Sequence, residues 1–404
     1  MSSKRIAVIA SVVFLLLLTG CWNRRELGEL AFVSAIGVDL VPGKDLLRVS
    51  YQIVIPSEVT SGPLGGGGGK NSPIVVYSET GSTMFEISRK VSPKVPRDMF
   101  FSHVRLVVIG ESLARKGIND LFDELERSNE IRYTARVAIA RGTTAENVIS
   151  TLTPMEKIPA NANVGKMDFS EKDWGHSLRV NYDDVINKLT TKGSEPVISG
   201  LTKQGEASGE RIATLQDAKP SAYTKNGGLA MFKNGKMLRW VDGEEAAGTV
   251  WLMNKMKSTV LNVDWEGTKA AVAIKVSRSR TKVEAKWREG KPVIHVSIKE
   301  EGDIREARIP VAIEDERVIA RLEQALAEET RKKVWAALHL AQKEKTDIFG
   351  FGGAVNRADP QAWDQIKDNW NEMLPSTQID LSIEAFIRQP GMITSPHHPE
   401  QGKK

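Results

Sequence analysis

The alternation of apolar and polar positions divides the chain into two strand-rich stretches, each followed by helices. Leu30 to Asp39 is an almost unbroken apolar run, the pattern of a strand buried on both faces. From Leu46 to Ile55, Leu47, Val49, Tyr51, Ile53 and Ile55 recur at every second position, and Pro42-Gly43-Lys44-Asp45 predicts the loop of a hairpin between the two strands. Within Thr80 to Val91, Met84, Ile87 and Val91 share one helical face, with Ser82 or Thr83 placed to cap it. Phe100 to Gly110 reads as one central strand. A helix with the stripe Ile118, Leu121, Phe122 and Leu125 follows, then a strand over Thr134 to Ala140 and a helix over Thr143 to Leu152, stopped by Pro154. From there to about Gly209 the periodicity fades, which predicts a smaller module or a long connection.

Periodicity returns at Leu229 to Val241, where Asn234-Gly235 between two strand-like runs is a strong hairpin signal. Strands are predicted over Ser258 to Asp264, Lys269 to Val276, Thr281 to Trp287 and Val293 to Ile298, with Glu266-Gly267 and Glu289-Gly290 as turns. A long helix from Asp315 to Glu344 carries the stripe Val318, Ile319, Leu322, Leu326, Val334, Trp335, Leu338 and Ala341. A second helix is expected over Pro360 to Met373 and a closing strand over Thr377 to Ile387. The predicted class is α+β and multi-domain, with a mixed N-terminal α/β sheet region and a C-terminal antiparallel meander packed against long helices. The expected divisions are an N-terminal domain over 21–200, which may hold a smaller module from about 154, a linker over 201–224, a C-terminal domain over 225–390 and a disordered tail over 391–404.

The first residues fit neither domain. Lys4 and Arg5 precede an apolar run from Ile6 to Leu18, too short to span a bilayer as a permanent helix, and Leu18-Thr19-Gly20 leads at once into Cys21. This is the lipobox pattern of bacterial lipoproteins. It predicts a signal peptide over 1–20 and acylation of Cys21, leaving the mature chain anchored by lipid outside the cytoplasm. Cys21 is the only cysteine, so no disulfide framework is available. Of the net charge of +5, two charges belong to Lys4 and Arg5, leaving +3 on the mature chain, too near balance to indicate a nucleic-acid partner. Hydrophobic content of 41% and charged content of 26% are those of a globular protein rather than a disordered one.

Candidate chemistry is sparse. There is no Gly-x-Ser-x-Gly elbow; Gly110-Glu111-Ser112 lacks the second glycine and reads as a strand end or helix start. His103, His176, His295, His339, His397 and His398 show no metal-ligand spacing. The run Gly65 to Gly69 before Lys70 fails the P-loop pattern at Leu64 and Asn71 and reads as a surface loop. Arg278, Arg280, Lys282, Lys286 and Arg288 share one face of an extended segment, read as a solvated outer face with an anionic surface as the alternative. Phe349 and Phe351 form an apolar loop, either packed under the domain or exposed to a partner. No catalytic residue, metal site or cofactor is predicted, and the chain reads as non-enzymatic.

Taken together, the lipobox with Trp22 and Glu26-Leu27, the Ala35-Ile36-Gly37-Val38-Asp39 strand, the Ser102 to Gly110 stretch, and the long helix followed by Asp347-Ile348-Phe349-Gly350 resemble the GerC-type spore germination lipoprotein family. The resemblance implies the C subunit of a nutrient germinant receptor, lipid-anchored through Cys21 on the outer face of the spore inner membrane. It implies A- and B-type integral membrane subunits as partners, and a role in receptor assembly or signalling. The alternative is an extracytoplasmic solute-binding lipoprotein, a class expected to have two predominantly parallel α/β lobes.

Overall fold

A computed structural model describes residues 26–59, 71–128, 130–205, 207–212, 215 and 218–389. Cys21, the Gly65 to Gly69 run, His397-His398 and the C-terminal tail lie outside the described residues.

The first sheet grows outward from Leu30–Leu40 (β1). On one side β1 pairs antiparallel with Leu47–Val54 (β2), Val38 opposite Val49, and β2 pairs with Ile74–Gly81 (β3), Tyr51 opposite Tyr77. Met84–Val91 (α1) follows, capped by Thr83, whose hydroxyl accepts the Glu86 N–H at 3.2 Å. The single strand expected over Phe100 to Gly110 is two: Asp98–Phe100 (β4) runs parallel to Leu30–Phe32, and Leu106–Gly110 (β5) runs parallel to Ala35–Val38. Between them the chain turns. The Val104 N–H donates to the Phe101 carbonyl, and the Arg105 N–H reaches Ser34 O at 2.9 Å, so residues 101–105 leave the ladder and rejoin it.

Glu111–Lys116 (α2) and Asn119–Ser128 (α3) lead to Arg136–Ala140 (β6), parallel to β5. Ala145–Ser150 (α4), Pro159–Asp173 (α5) and Tyr182–Thr190 (α6) then lead to Val197–Gly205 (β7), parallel to β6. The pattern hides α5 because its buried side includes Asn163 and Glu171 among small residues. Thr224 donates to Asn163 Oδ1 at 2.5 Å, so the buried amide is satisfied. Ala222–Lys233 (β8) and Lys236–Val241 (β9) complete the sheet in the order β3-β2-β1-β5-β6-β7-β8-β9, with β4 beside β1. Asn234 and Gly235 turn this hairpin at φ of 51° and 73°, as a tight two-residue loop requires. The end of β7 and the start of β8 lie within the 201–224 stretch expected as a linker, and the β8–β9 hairpin extends the first sheet.

Gly243–Leu252 (α7) crosses to the second sheet, made of Thr259–Trp265 (β10), Thr268–Arg288 (β11), Lys291–Ala307 (β12) and, after four α-helices, Gln378–Gln389 (β13). The two strands expected over Lys269 to Val276 and Thr281 to Trp287 are one 21-residue strand, whose register against β12 shifts between Ala273 and Ile274 and between Val276 and Arg278. β10, β11 and β12 form the antiparallel meander, but β13 lies parallel to β12, so the sheet is mixed. The chain must cross over to make that pairing. Glu316–Glu344 (α8), Phe351–Ala358 (α9), Pro360–Ile366 (α10) and the short Trp370–Met373 (α11) supply the crossover. A Cβ at Gly248 of α7 would collide with the Lys333 carbonyl of α8, so the two helices meet at backbone distance. The fold is multi-domain α+β with two mixed sheets, and one apolar core runs from β1 through Trp251 to the second sheet. A second cluster, including Ala35, Leu106, Ala138, Val148 and Met167, lies between the first sheet and α4 and α5. Among the described residues, no helix is long and apolar enough to cross a membrane.

Candidate functional site

Because β1, β5 and β6 are parallel, their first residues lie at one end of the sheet, where Leu27–Glu29 leads into β1. An open cavity of about 710 Å³ sits there. Phe32, Val33 and Ser34 of β1 form one wall, and the 101–105 turn supplies Ser102, His103 and Arg105. The approach to β6 adds Arg132, Thr134 and Arg136. Ile158, Asn161 and Val164 of the α5 N-terminus add a third wall, and Arg179 closes the rim. The departure of residues 101–105 from the ladder is therefore what opens the cavity.

Among the described residues, four arginines and no carboxylate line this space. Arg136 is buried; its guanidinium donates to Asn181 Oδ1 and lies 3.2 Å from Asp168. Arg105 is exposed and donates to Asn161 Oδ1 at 2.9 Å. Among the described residues no carboxylate lies within ion-pair distance of Arg105, Arg132 or Arg179. Glu171 accepts the backbone N–H of Arg179 and pairs with Lys257 at 2.7 Å, so its carboxylate is engaged elsewhere. His103 is stacked on Phe32 at 5.4 Å and edge-on to Phe100 at 5.4 Å, which fixes the turn beside the cavity.

Two other acidic residues within the sequence signals are structural. Asp39, at the far end of β1, accepts the N–H groups of Ala145 at 2.8 Å and Glu146 at 3.1 Å and so caps α4. A Cβ at Gly110 would strike its Oδ1, so glycine is required beside it. Asp347 is fully buried, and its carboxylate gathers the backbone N–H groups of residues 349–352. Of the two expectations for the apolar loop, packing is what the structure has: Phe351 is buried and opens α9.

The basic residues of β11 alternate as expected, with Arg278, Arg280, Lys282, Lys286 and Arg288 exposed and Thr281 buried between them. Lys282 pairs with Glu284 at 2.7 Å, and Arg278 approaches Glu301 at 3.9 Å. None of them reaches the arginine-lined cavity. Among the described residues, no three His, Cys, Asp or Glu side chains gather as a metal site would need. The cavity itself was not legible in the sequence, because its arginines come from three separate segments.

The two halves of the chain match two parts of one family. Residues 23–203 match the spore germination protein N-terminal domain, and residues 227–391 match the C-terminal domain described as spore germination B3/GerAC-like. The chain belongs to this GerAC-like family of spore germination proteins. Spore germination protein KC of Bacillus subtilis is 38% identical over 400 residues, with 98% of each chain covered. The putative spore germination protein YfkR of the same organism is 26% identical over 387 residues, covering 95% of this chain and 96% of that one. The crystal structure of the GerBC protein has a similar fold, with a TM-score of 0.54 and 19% identity, across 87% of this chain and 96% of that chain.

Proposed function

We propose that this chain is the lipid-anchored, non-catalytic C subunit of a nutrient germinant receptor. In this reading it sits on the outer face of the spore inner membrane and acts with A- and B-type integral membrane subunits in receptor assembly or signalling. The observation that carries the reading is the 38% identity with spore germination protein KC along 98% of both chains. The Leu18-Thr19-Gly20-Cys21 sequence supports the anchor. Each buried methylene of an acyl chain contributes about 0.8 kcal/mol, so two or three chains on Cys21 hold a folded body at the bilayer far more firmly than one. Tethering in turn raises its effective concentration toward membrane partners. No step in this role needs a catalytic group.

Cys21→Ala is expected to move the protein from the spore membrane fraction to the soluble fraction and to impair nutrient-triggered germination. Fractionation followed by immunoblotting, with the germination rate measured on the same spores, reads both effects. Normal membrane retention together with a normal rate would contradict the anchor.

A further inference from the structure

We infer that the arginine-lined cavity at the head of the first sheet binds a phosphate-type oxyanion, carried either by a membrane lipid headgroup or by a free small molecule. The inference starts from charge. Asp168 balances Arg136, but Arg105, Arg132 and Arg179 line the same space with no carboxylate among its described lining residues. Like charges held together raise one another's energy, and an anion between them relieves that repulsion. Guanidinium groups suit an oxyanion, because each presents a planar fork of N–H donors that can bind two oxygens at once.

The rest of the lining fits the same ligand. Ser34, Ser102, Thr134 and Asn161 bring further hydrogen-bonding groups, and the first turn of the 15-residue α5 borders the cavity with its positive end. Val33, Val54, Val104, Ile158 and Val164 give the space an apolar component, so an oxyanion attached to a small organic group fits better than a bare charge on a surface. Buried Arg136 and the stacked His103 hold two walls in place without a ligand.

Position favours the lipid source. Phe32 lies eleven positions after Cys21, a reach of at most about 40 Å, and the cavity opens at the end of the sheet where β1 begins. This argument rests on the lipid anchor proposed above, whereas oxyanion binding itself does not.

The test uses the full-length lipoprotein, wild type and the Arg105→Gln/Arg132→Gln double variant. Both arginines are exposed, and neither belongs to the Arg136–Asp168 pair. Thermal unfolding is followed in neutral detergent while inorganic phosphate replaces chloride at constant ionic strength. It is followed again in vesicles of phosphatidylcholine alone and of phosphatidylcholine with phosphatidylglycerol. Phosphate also stabilises proteins generally by exclusion from their surface, and the variant subtracts that contribution. A saturable rise in midpoint with phosphate in the wild type, weakened at least tenfold in apparent affinity in the variant, establishes a site open to a free oxyanion. A rise that needs phosphatidylglycerol, is absent with phosphate and is lost in the variant assigns the site to a headgroup. Equal responses of wild type and variant in both series would overturn the inference. Arg179→Gln alone serves as a second variant should the pair fail to fold, and the same comparison decides.

Discussion

Asp347→Ala is expected to be among the most destabilising single substitutions in the chain, costing on the order of 4 kcal/mol or more. Asp347 Oδ1 accepts the N–H groups of Phe349 at 3.1 Å, Gly350 at 2.8 Å and Phe351 at 3.0 Å; Oδ2 accepts that of Gly352 at 2.7 Å and the Trp370 indole N–H at 2.8 Å. Burial raises its carboxyl pKa above the ordinary range, and the donors Gly352, Trp370, Phe351 and Gly350 oppose that rise. Alanine would strand all five N–H groups. A buried donor left without a partner costs about 1–3 kcal/mol, and water entering the vacated space recovers only part of the sum.

The damage would spread beyond the loop. The Asp347 carbonyl accepts the Glu195 N–H at 2.8 Å, and Thr346 donates to Phe232 O at 3.1 Å, so the same turn fastens the end of α8 to the first sheet. Urea unfolding followed by tryptophan fluorescence would read the loss, since Trp363 and Trp370 pack edge to face at 5.7 Å beside the turn. The midpoint should fall sharply in Asp347→Ala and less in Asp347→Asn, which keeps one acceptor oxygen. A wild-type midpoint in the alanine variant would remove Asp347 as the organising group.

Glu300 gives the second large effect, and it depends on pH. Its side chain is buried between α7 and α8, where Trp251 donates to Oε2 at 3.2 Å and Thr330 donates to Oε1 at 2.7 Å. No cation pairs with it among the described residues, and burial lifts its pKa to about 7. Between pH about 4.5 and 7 the folded protein therefore holds a proton that the unfolded chain has released. Stability is greatest below that window, falls as pH rises through it, and levels off above it. The gap between about 4.5 and about 7 corresponds to about 3 kcal/mol.

Glu300→Gln mimics the protonated acid: its oxygen can accept from Trp251 and its amide can donate to Thr330. The variant is expected to match the wild type near pH 4.5 and exceed it by about 3 kcal/mol at pH 8. Other buried acids, among them Asp39 and Glu195, are also raised by burial, so the difference between the two proteins, rather than the wild-type slope, isolates Glu300. Parallel pH profiles for the two proteins would place the titration elsewhere.

Local chemistry explains which parts of this fold were legible. Asn234-Gly235, Glu266-Gly267 and Glu289-Gly290 all turn at positive φ, and each was visible as a dipeptide between strand-like runs. α8 was visible because its 29 residues bury one stripe. β3 and α5 were missed for opposite reasons. The half-buried residues between Ile74 and Gly81 lie beside a glycine run that dominated the reading of that region, and α5 buries polar side chains that break the apolar period. The long β11 looked like two strands because its inward residues change from apolar ones before Ser277 to Ser279 and Thr281 after it.

The site was harder to see than the fold. Asp347 stood in plain view before Ile348-Phe349-Gly350, yet nothing in the sequence distinguished an acid that gathers backbone donors from one that ends a helix. The cavity needed the topology, since only parallel pairing brings residues 34, 105 and 136 to one end of the sheet. The anchor had the reverse character. Cys21 was the clearest signal in the sequence and lies outside the described residues.

The central claim, that this chain is one subunit of a membrane receptor, is tested most directly by its companions. Tagged protein would be recovered from detergent-solubilised spore inner membranes, and the co-purifying proteins identified and quantified by mass spectrometry. The account predicts two polytopic membrane proteins in comparable amounts, both lost from the fraction when the tagged protein carries Cys21→Ala. Recovery of an ATP-driven transporter in their place, or of no membrane partner under gentle conditions, would contradict it.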